Sequence, residues 1–369
     1  MKVTYPHMGN LYLAANALLE GLGCEVIMPP FCSKKTLSLG TKYAPESACL
    51  PLKINLGNYL EAIEKGADTI VMIGGVGPCR IGFYGQTQSD ILNDLGKNIK
   101  MVVIEPPDVS FKEVWQKIME LKNASWVKVI KGVHLAWEKI YSADRLEKYM
   151  EWLRPRAIKQ DEAEKIYNEA LILLDKTKNI RQVKNIVKNT LHKLEELADY
   201  QAENIIKIGI VGEVYTVIEQ YANLQLERQL GKLGVEVERS IYLSEWINDH
   251  LLSGILPIKS SKKIDQLASP FLNHFIGGHG KQTISHSVDF ARRGFDGIIQ
   301  VGPLTCMPEI VAESILPAIN ETYGVPIMTI FVDEQSGEAG LNTRLEAFTD
   351  MIKYKKDLNF KGCELCQSI

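Results

Sequence analysis

Residues 295–317, FDGIIQVGPLTCMPEIVAESILP, constrain the fold of this chain more than any other stretch. The apolar run Gly297–Gly302 predicts a short buried strand, which Pro303 ends. Helical spacing of apolar residues then predicts a helix over 307–315, with a proline tolerated in its first turn. Cys306 therefore lies in the loop between a strand end and a helix start. In open α/β sheets this crevice is where ligands bind.

The first half of the chain contains a second junction of the same kind. The run 68–73, DTIVMI, predicts a strand, and the segment GGVGPCRIGFYGQ follows it. This places Cys79 in a loop equivalent to the one that holds Cys306. Helix N-termini and glycine-rich turns present backbone N–H groups to anionic sulfur or to a negatively charged cluster. One cysteine at each of two equivalent junctions predicts a site shared by two lobes.

The rest of the chain repeats an order of strand, helix, glycine and strand that is typical of parallel α/β sheets. Residues 159–203 contain no glycine or proline and are rich in Glu, Lys and Leu, which indicates a helical connector with a solvated charged face. We therefore predict an α/β fold of two Rossmann-like lobes with parallel sheets, joined by a helical connector. The expected parts are an N-terminal lobe at 1–128, the connector at 129–203, a C-terminal lobe at 204–336, and a C-terminal helix with a Cys-x-x-Cys tail at 337–369.

Individual elements follow from the same patterns. Strands are expected at 1–5, 24–28, 68–73, 100–105 and 325–332, and residues 29–51 are expected to form one long loop. Helices are expected at 8–22, 52–65, 111–121, 133–150, 283–293 and 343–356.

Composition excludes several classes of function. The 369 residues carry a net charge of −3, with 46% hydrophobic and 24% charged residues, so neither nucleic acid nor an anionic membrane is expected as a partner. The start of the chain has no signal-peptide pattern and no run is long enough to span a bilayer, so we expect a cytoplasmic protein. In a reducing compartment the seven cysteines are expected to serve metal binding or redox chemistry rather than disulfides.

Four cysteines, Cys32, Cys49, Cys79 and Cys306, lie at loop positions and match the number of ligands in a 4Fe–4S site. Zinc also takes four thiolates, but structural zinc sites usually draw on local cysteine pairs, and these four are widely separated. Cys24 falls inside a predicted strand and is expected to be a core residue. The tail pair, Cys363 and Cys366, is compatible with half of a metal site or with a redox pair.

Other polar residues leave their alternatives open. Gly209 and Gly212 lie where a nucleotide-binding turn would have them, but the full dinucleotide spacing is absent, and a tight turn explains them equally well. Glu213 and Tyr215 follow that turn and are expected to face the same crevice. His279, in a glycine loop that opens a helix, is compatible with a metal, a substrate or a phosphate contact, or with none of them. The chain contains neither a Gly-x-Ser-x-Gly elbow nor a Walker-type phosphate loop.

The cysteine-bearing motifs resemble a known family. The segments PESACLPLK, GGVGPCRIGFYGQ, GGHGKQTISHSVDFARRGFDGIIQVGPLTCMPEIVAESILPAI and DEQSGEAGLNTRLEAFTDMI are similar to acyl-CoA dehydratase activase-related proteins. These belong to the wider superfamily of 2-hydroxyacyl-CoA dehydratases and double-cubane-cluster proteins. The resemblance covers both lobes and most of the chain outside the connector.

The resemblance implies paired Rossmann-like lobes with an iron–sulfur cluster in the cleft between them. It also implies a partner, a separate ATP-hydrolysing activator that carries its own iron–sulfur cluster and has an actin-like fold. This chain lacks the Asp-Gly-rich phosphate motifs of that fold, so it resembles the electron-accepting component. Cys49, Cys79 and Cys306 lie in matching motifs and carry over as cluster ligands, and Cys32 is carried over with them.

Several points stay open under this resemblance. The cofactor is a single 4Fe–4S cluster or a double-cubane 8Fe–9S cluster, and the assembly is a homodimer or a heterodimer. Outside the resemblance, two other classes remain, a cluster-free scaffold that binds CoA or a nucleotide, and a zinc-stabilised subunit.

Overall fold

The structure is a computed structural model that describes residues 1–75, 79–104, 111–249 and 262–367. Of residues 111, 262–263 and 358–367 only the backbone is described. Within these ranges no helix combines the length and the apolar character that crossing a bilayer requires.

The N-terminal lobe is built on a four-stranded parallel sheet in the order β2-β1-β3-β4. Its strands are β1 (Lys2–Thr4), β2 (Glu25–Val26), β3 (Thr69–Ile73) and β4 (Lys100–Ile104). Its helices are α1 (Leu11–Leu22), α2 (Lys34–Tyr43), α3 (Leu50–Glu64), α4 (Tyr84–Asp94) and α5 (Phe111–Leu121). Val3 and Ile70 are completely buried, as is typical of strands in a parallel sheet.

The C-terminal lobe contains a second four-stranded parallel sheet in the order β6-β5-β7-β8. Its strands are β5 (Ile206–Gly212), β6 (Val235–Arg239), β7 (Gly297–Pro303) and β8 (Ile327–Val332). The other elements are α9 (Val214–Ile218), α10 (Leu226–Lys232), α11 (Leu243–Ile247), α12 (Lys262–Asp265), α13 (Gly280–Arg292), α14 (Met307–Tyr323) and α15 (Glu338–Gln367). Each residue of β7 is buried, which matches the apolar run from which it was predicted.

The two sheets share one topology. β1 corresponds to β5, and β3 corresponds to β7, so the strand order reverses beside these central strands in each lobe. Ligands bind at such switch points in doubly wound folds, at the carboxyl ends of the strands. Cys79 follows β3 and Cys306 follows β7, and the two cysteines therefore occupy equivalent places. The predicted fold class, two Rossmann-like lobes with parallel sheets, is confirmed.

The connector consists of α6 (Trp126–Leu153), α7 (Gln160–Lys176) and α8 (Ile180–Glu195), with a 3₁₀ turn at Arg154–Arg156. α6 packs on both lobes, because Ile140 belongs to the main apolar core of the C-terminal lobe and Leu146 to that of the N-terminal lobe. It also approaches α1 closely. A Cβ added to Gly21 would lie 2.7 Å from the Cα of Gly132, so glycine at both positions lets the two backbones touch.

The structure corrects the expected loop at 29–51. Residues 34–43 form helix α2, which begins at a capping box in which the Ser33 side chain accepts a hydrogen bond from the Thr36 N–H and the Thr36 side chain binds back to Ser33. The helix is stabilised by close packing on α3. A Cβ on Gly40 would lie only 1.7 Å from the carbonyl oxygen of Lys53, so this contact requires glycine.

Several other element boundaries differ from the predictions, and the helix expected at 343–356 is α15, Glu338–Gln367. α6 begins at residue 126 rather than 133, and α14 continues to residue 323 with Pro317 inside it rather than ending at 315. Pro317 is exposed. The strand expected at 24–28 is only Glu25–Val26, so Cys24 precedes it. Cys24 is nevertheless buried, with its sulfur 3.5 Å from the carbonyl oxygen of Leu121, as expected of a core cysteine.

Candidate functional site between the lobes

Three of the four predicted ligand cysteines occupy the same kind of position. Cys49 is the residue before α3, Cys79 precedes a 3₁₀ turn at Arg80–Phe83, and Cys306 precedes α14. Each lies at the N-terminal end of a helical segment with an extended backbone. Backbone hydrogen bonds from Ile81 to the Cys79 thiol and from Glu309 to the Cys306 thiol act to lower the pKa of each. N–H groups at these ends favour negative charge.

Arg80 connects the loops that carry these three cysteines. The residue directly follows Cys79, and its Nη1 donates to the Ser47 carbonyl at 2.8 Å, two residues before Cys49. Its Nη2 donates to the carbonyl and the hydroxyl of Thr305 at 2.8 and 2.9 Å, next to Cys306. One guanidinium therefore joins the cysteine loops of both lobes and places a positive charge among the three thiols.

The backbone at Thr305 is strained. Its φ is +69°, in the left-handed region that a β-branched residue rarely adopts. Residues held in this way cost of order 1–3 kcal/mol and tend to cluster at functional sites. The two hydrogen bonds from Arg80 hold Thr305 in this conformation. The backbone direction at Thr305 in turn determines how the next residue, Cys306, is oriented.

The same charged groups act on the thiols of these cysteines. Burial is the main cause that raises the pKa of the thiols of Cys49, Cys79 and Cys306, and the carboxylate of Glu213 raises all three further. Cys79 in turn raises the pKa of both other thiols. Arg80 acts in the opposite direction on Cys49 and Cys79.

Glu213 lies at the end of β5, where the turn after the strand brings it into this crevice. Its carboxylate accepts hydrogen bonds from the N–H groups of Tyr215 and Thr216, both at 3.0 Å. Gly212 has a φ of +143°, and a Cβ there would lie 1.8 Å from the Val301 carbonyl oxygen. The close pairing of β5 with β7 therefore explains why residue 212 is a glycine. A nucleotide-binding turn is not needed to account for it.

A second buried carboxylate, Glu309, lies in the first turn of α14 beneath the Cys306 loop. It accepts hydrogen bonds from the Thr283 hydroxyl at 3.0 Å and from the Gln300 amide at 2.9 Å. Burial is the main cause that raises the pKa of Glu309 to about 7. Its charge also contributes to the raised pKa of Cys306. This carboxyl group can therefore hold a proton near neutral pH beside the thiols.

The glycine loop at 277–280 covers part of the same site. Gly278 has a φ of +47°, and a Cβ there would lie 3.2 Å from the Pro308 ring and 3.6 Å from the Cys79 sulfur. His279 Nε2 accepts a hydrogen bond from the Trp246 ring N–H at 3.1 Å. In this state of the protein that nitrogen is engaged within the C-terminal lobe.

Cys32 has a different set of partners. Its sulfur lies 3.7 Å from His7 Nδ1 and from Asn58 Oδ1, and 3.9 Å from the Tyr215 hydroxyl. Glu219, and not Glu213, is the carboxylate that raises the pKa of this thiol, after burial. The structure thus places Cys49, Cys79 and Cys306 on loops that Arg80 connects, and places Cys32 beside other ligand-type side chains. The side chains of Cys363 and Cys366, at the end of α15, lie outside the described residues.

A small pocket opens beside Cys49. It has a volume of about 240 Å³ and is lined by Pro45, Ser47, Ala48, Cys49, Leu52, Arg80, Phe83, Tyr84 and Thr87. The Tyr84 hydroxyl contacts the Cys49 sulfur, and both residues line the pocket. Since ligand pockets commonly measure about 300–1,000 Å³, this one suits only a small group or the end of a larger molecule. A larger cavity of about 650 Å³ lies between α6 and α8, and its lining contains no cysteine.

Sequence reasoning missed Arg80, Thr305 and Glu309. Arg80 directly follows the predicted ligand Cys79. A basic residue next to a cysteine favours the thiolate, and this was the one feature of the sequence that could have indicated a role for Arg80. Its partners lie 33 and 225 residues away, so no local pattern reveals them.

Comparison with known proteins identifies one part of the chain. Residues 7–74 match the family model described as CoA enzyme activase uncharacterised domain. The expected relation to activase-related proteins is confirmed over that segment, which includes Cys24, Cys32 and Cys49. The wider dehydratase and double-cubane superfamily stays an expectation. No curated protein matches the chain.

Proposed function

We propose that this protein is the electron-accepting component of an ATP-dependent reductase or dehydratase system of the 2-hydroxyacyl-CoA dehydratase type. In this proposal an iron–sulfur cluster is held between the lobes by Cys49, Cys79 and Cys306, and the fourth ligand of a 4Fe–4S cluster comes from outside these three residues. The observation that carries the proposal is the position of Arg80, whose hydrogen bonds join the loops of all three cysteines across the two lobes.

The chemistry of the residues fits such a cofactor. Thiolates are the usual ligands of iron–sulfur clusters, and three of them lie at helix N-terminal ends near a guanidinium. A bound cluster supplies one-electron chemistry at low potential, down to about −700 mV. Burial keeps the three thiols protonated in the metal-free protein at neutral pH, so their loading releases protons.

The neighbouring residues have supporting roles in the proposal. Arg80 offsets the negative charge of the thiolates and fixes the loops that present them. Glu309, whose pKa is raised to about 7, holds a proton on its carboxyl group near neutral pH and thereby limits repulsion. The 240 Å³ pocket beside Cys49 provides access for a small acyl group.

A separate ATPase is proposed as the electron donor. The match of residues 7–74 to a CoA enzyme activase domain supports a relation to this kind of system. The sequence has neither a Walker-type phosphate loop nor the Asp-Gly-rich phosphate motifs of the actin-like fold, so ATP hydrolysis is assigned to the partner. ATPase activity in the purified single chain would count against this division of labour.

Anaerobic purification followed by iron, sulfide and zinc analysis tests the proposal. We expect brown protein with about four irons and four sulfides per chain if one 4Fe–4S cluster is bound. Colourless protein without iron would support a cluster-free scaffold that binds CoA or a nucleotide. Zinc alone, without visible absorption, would support a zinc-stabilised subunit. Either of these two results would refute the proposed function.

A further inference from the structure

His7, Cys32 and Glu219 form a second group of ligand-type side chains, here called the HCE cluster. His7 Nδ1 lies 2.8 Å from Glu219 Oε2 and 3.7 Å from the Cys32 sulfur, and all three ligand atoms lie within 4.8 Å of one another. His7 follows β1 and Cys32 precedes α2, whereas Glu219 ends α9 in the other lobe. The cluster therefore joins the two lobes at a point distinct from the Arg80 contacts.

The carboxylate of Glu219 is fixed by its surroundings. Its Oε2 accepts a hydrogen bond from the Gly9 N–H at 2.8 Å, and its Oε1 accepts one from the Tyr221 N–H at 3.1 Å. Gly9 has a φ of +49°, and a Cβ there would lie 2.9 Å from the Ile218 carbonyl oxygen. This approach of the β1–α1 loop to α9 is what brings His7 to Glu219.

The imidazole of His7 is also held in a defined orientation. The side chains of His7 and Glu219 are each only 4% exposed, and the Phe31 ring packs edge-on against the imidazole at 5.0 Å. Nε2 is buried and has no hydrogen-bond partner among the described residues. The ring therefore turns its Nδ1 toward Cys32 and Glu219 and leaves its other nitrogen unsatisfied, which a purely structural histidine seldom does.

A further oxygen faces the sulfur. Asn58 is completely buried, and its amide N–H donates to the Pro30 carbonyl at 3.2 Å, which orients its Oδ1 toward Cys32 at 3.7 Å. Ligand atoms bound to one tetrahedral zinc at about 2.0–2.3 Å lie roughly 3.3–3.8 Å apart. The separations from sulfur to Nδ1 and to Oδ1 fall in this range, and the separation of 2.8 Å between Nδ1 and Oε2 needs to widen by about half an ångström.

We propose that the HCE cluster binds one zinc ion through His7 Nδ1, Cys32 Sγ and Glu219 Oε2, with Asn58 Oδ1 or a water molecule as the fourth ligand. A donor set of nitrogen, sulfur and oxygen suits zinc, whereas calcium and magnesium require oxygen ligands. Binding converts the Cys32 thiol to a thiolate and releases its proton to solvent. His7 binds through a deprotonated Nδ1 as the neutral tautomer that carries its proton on Nε2, so the proton that Nδ1 shares with Glu219 in the metal-free protein is given up from that nitrogen. Zinc then clamps the lobes. This gives Cys32 a role different from the cluster ligand that the sequence predicted.

Cobalt(II) substitution and zinc titration of the full chain test this site. We expect one tetrahedral cobalt(II) per chain, with a thiolate-to-cobalt charge-transfer band that zinc abolishes on displacement. Cys32→Ser should remove the band and weaken zinc binding at least about tenfold. Mutation of residues that only hydrogen-bond to metal ligands already lowers metal affinity by about 10- to 100-fold, and loss of a ligand should cost no less. Glu219→Gln keeps the side-chain shape and should also weaken binding. Cys24→Ser, which changes a buried thiol away from the HCE cluster, should leave both readouts unchanged.

A second measurement requires no variant. Zinc added to the wild-type protein should protect Cys32 from alkylation, read by peptide mass spectrometry, with Cys79 and Cys306 as internal references. Protection of Cys79 and Cys306 without Cys32 would overturn the proposal, as would full-affinity zinc binding in Cys32→Ser. Iron content reports on the proposed cluster separately, so failure of one proposal can be told from failure of the other.

Discussion

A buried network of charges between the connector and the C-terminal lobe yields a pH-dependent prediction. The guanidinium of Arg239 pairs with Glu151 at 3.0 Å and with Glu227 at 3.3 Å, and it also contacts Glu147. Arg154 adds a second guanidinium, 3.7 Å from Glu227. Carboxylates outnumber guanidiniums here, so at least one carboxyl group is expected to keep its proton.

Among the carboxyl groups of this network, Glu151 is the one whose pKa is most changed by burial. Burial is the main cause that raises its pKa to about 8, and Arg239 opposes the shift. The Tyr242 hydroxyl donates a hydrogen bond to this carboxyl group. The pKa of Asp144, whose carboxylate accepts the Ser244 N–H at 2.7 Å, is raised to about 7, again chiefly by burial.

The sign of the effect follows from linkage. Between the ordinary pKa of 4.5 and the folded value of about 8, the folded protein binds the Glu151 proton and the unfolded chain does not. The free energy of unfolding therefore falls as pH rises through this window, by up to about 1.4 kcal/mol per pH unit. Over the whole window, the shift in the Glu151 pKa corresponds to a fall of about 5 kcal/mol in the free energy of unfolding.

Glu151→Gln should remove this part of the pH dependence. Glutamine resembles the protonated carboxyl group in shape, so the variant is expected to gain stability relative to wild type as pH rises, by several kcal/mol between about pH 5 and pH 9. Urea unfolding at a series of pH values, followed by circular dichroism, measures the difference. Glu162→Gln, on the exposed start of α7, controls for the loss of one negative charge.

Parallel stability curves for wild type and Glu151→Gln over this range would refute the reasoning. They would mean that Arg239 keeps Glu151 ionised in the folded protein despite its burial. A constant offset between the two parallel curves would additionally report packing or hydrogen bonding lost in the variant.

Three other predictions concern packing and the cysteine loops. Gly40→Ala should destabilise the protein by about 3 kcal/mol or more in urea unfolding because its Cβ would meet the α3 backbone, whereas Gly340→Ala, in open space within α15, should stabilise it by up to about 1 kcal/mol. Arg80→Ala should cost about 1–2 kcal/mol and lower the iron content after anaerobic purification, and Arg80→Lys should restore little of either because lysine cannot bridge both loops. Thr305→Gly should be more stable than Thr305→Ala by about 1 kcal/mol, because both variants lose the hydroxyl that Arg80 binds and only glycine relieves the positive φ; a glycine variant no more stable than the alanine variant would contradict the strain.

The sequence was sufficient to predict the two sheets. Strands β3 and β7 are apolar runs that end in glycine or proline, and such runs are set by local burial, which periodicity detects. The loops that carry Cys79 and Cys306 follow from those strands. Helix α2 was missed because it is polar overall and depends on the fit of Gly40 against α3, a contact between distant segments.

The arrangement of the site was only partly accessible from the sequence. The loop positions of Cys49, Cys79 and Cys306 could be predicted, since each lies next to a helix start. The bond between His7 and Glu219 spans 212 residues, and the Arg80 bridge to the Cys306 loop spans 225. Contacts of this kind depend on how the lobes meet, which no local pattern encodes.

Iron content of matched cysteine variants tests the central claim most directly. Cys306→Ser and Cys24→Ser each remove one buried thiol, but only Cys306 lies in the shared environment of Glu213 and Cys79. After anaerobic purification, we predict that Cys306→Ser loses most of its iron and visible absorption, while Cys24→Ser retains about four irons per chain if one 4Fe–4S cluster is bound. Full iron and an unchanged visible spectrum in Cys306→Ser would contradict a cluster held between the lobes.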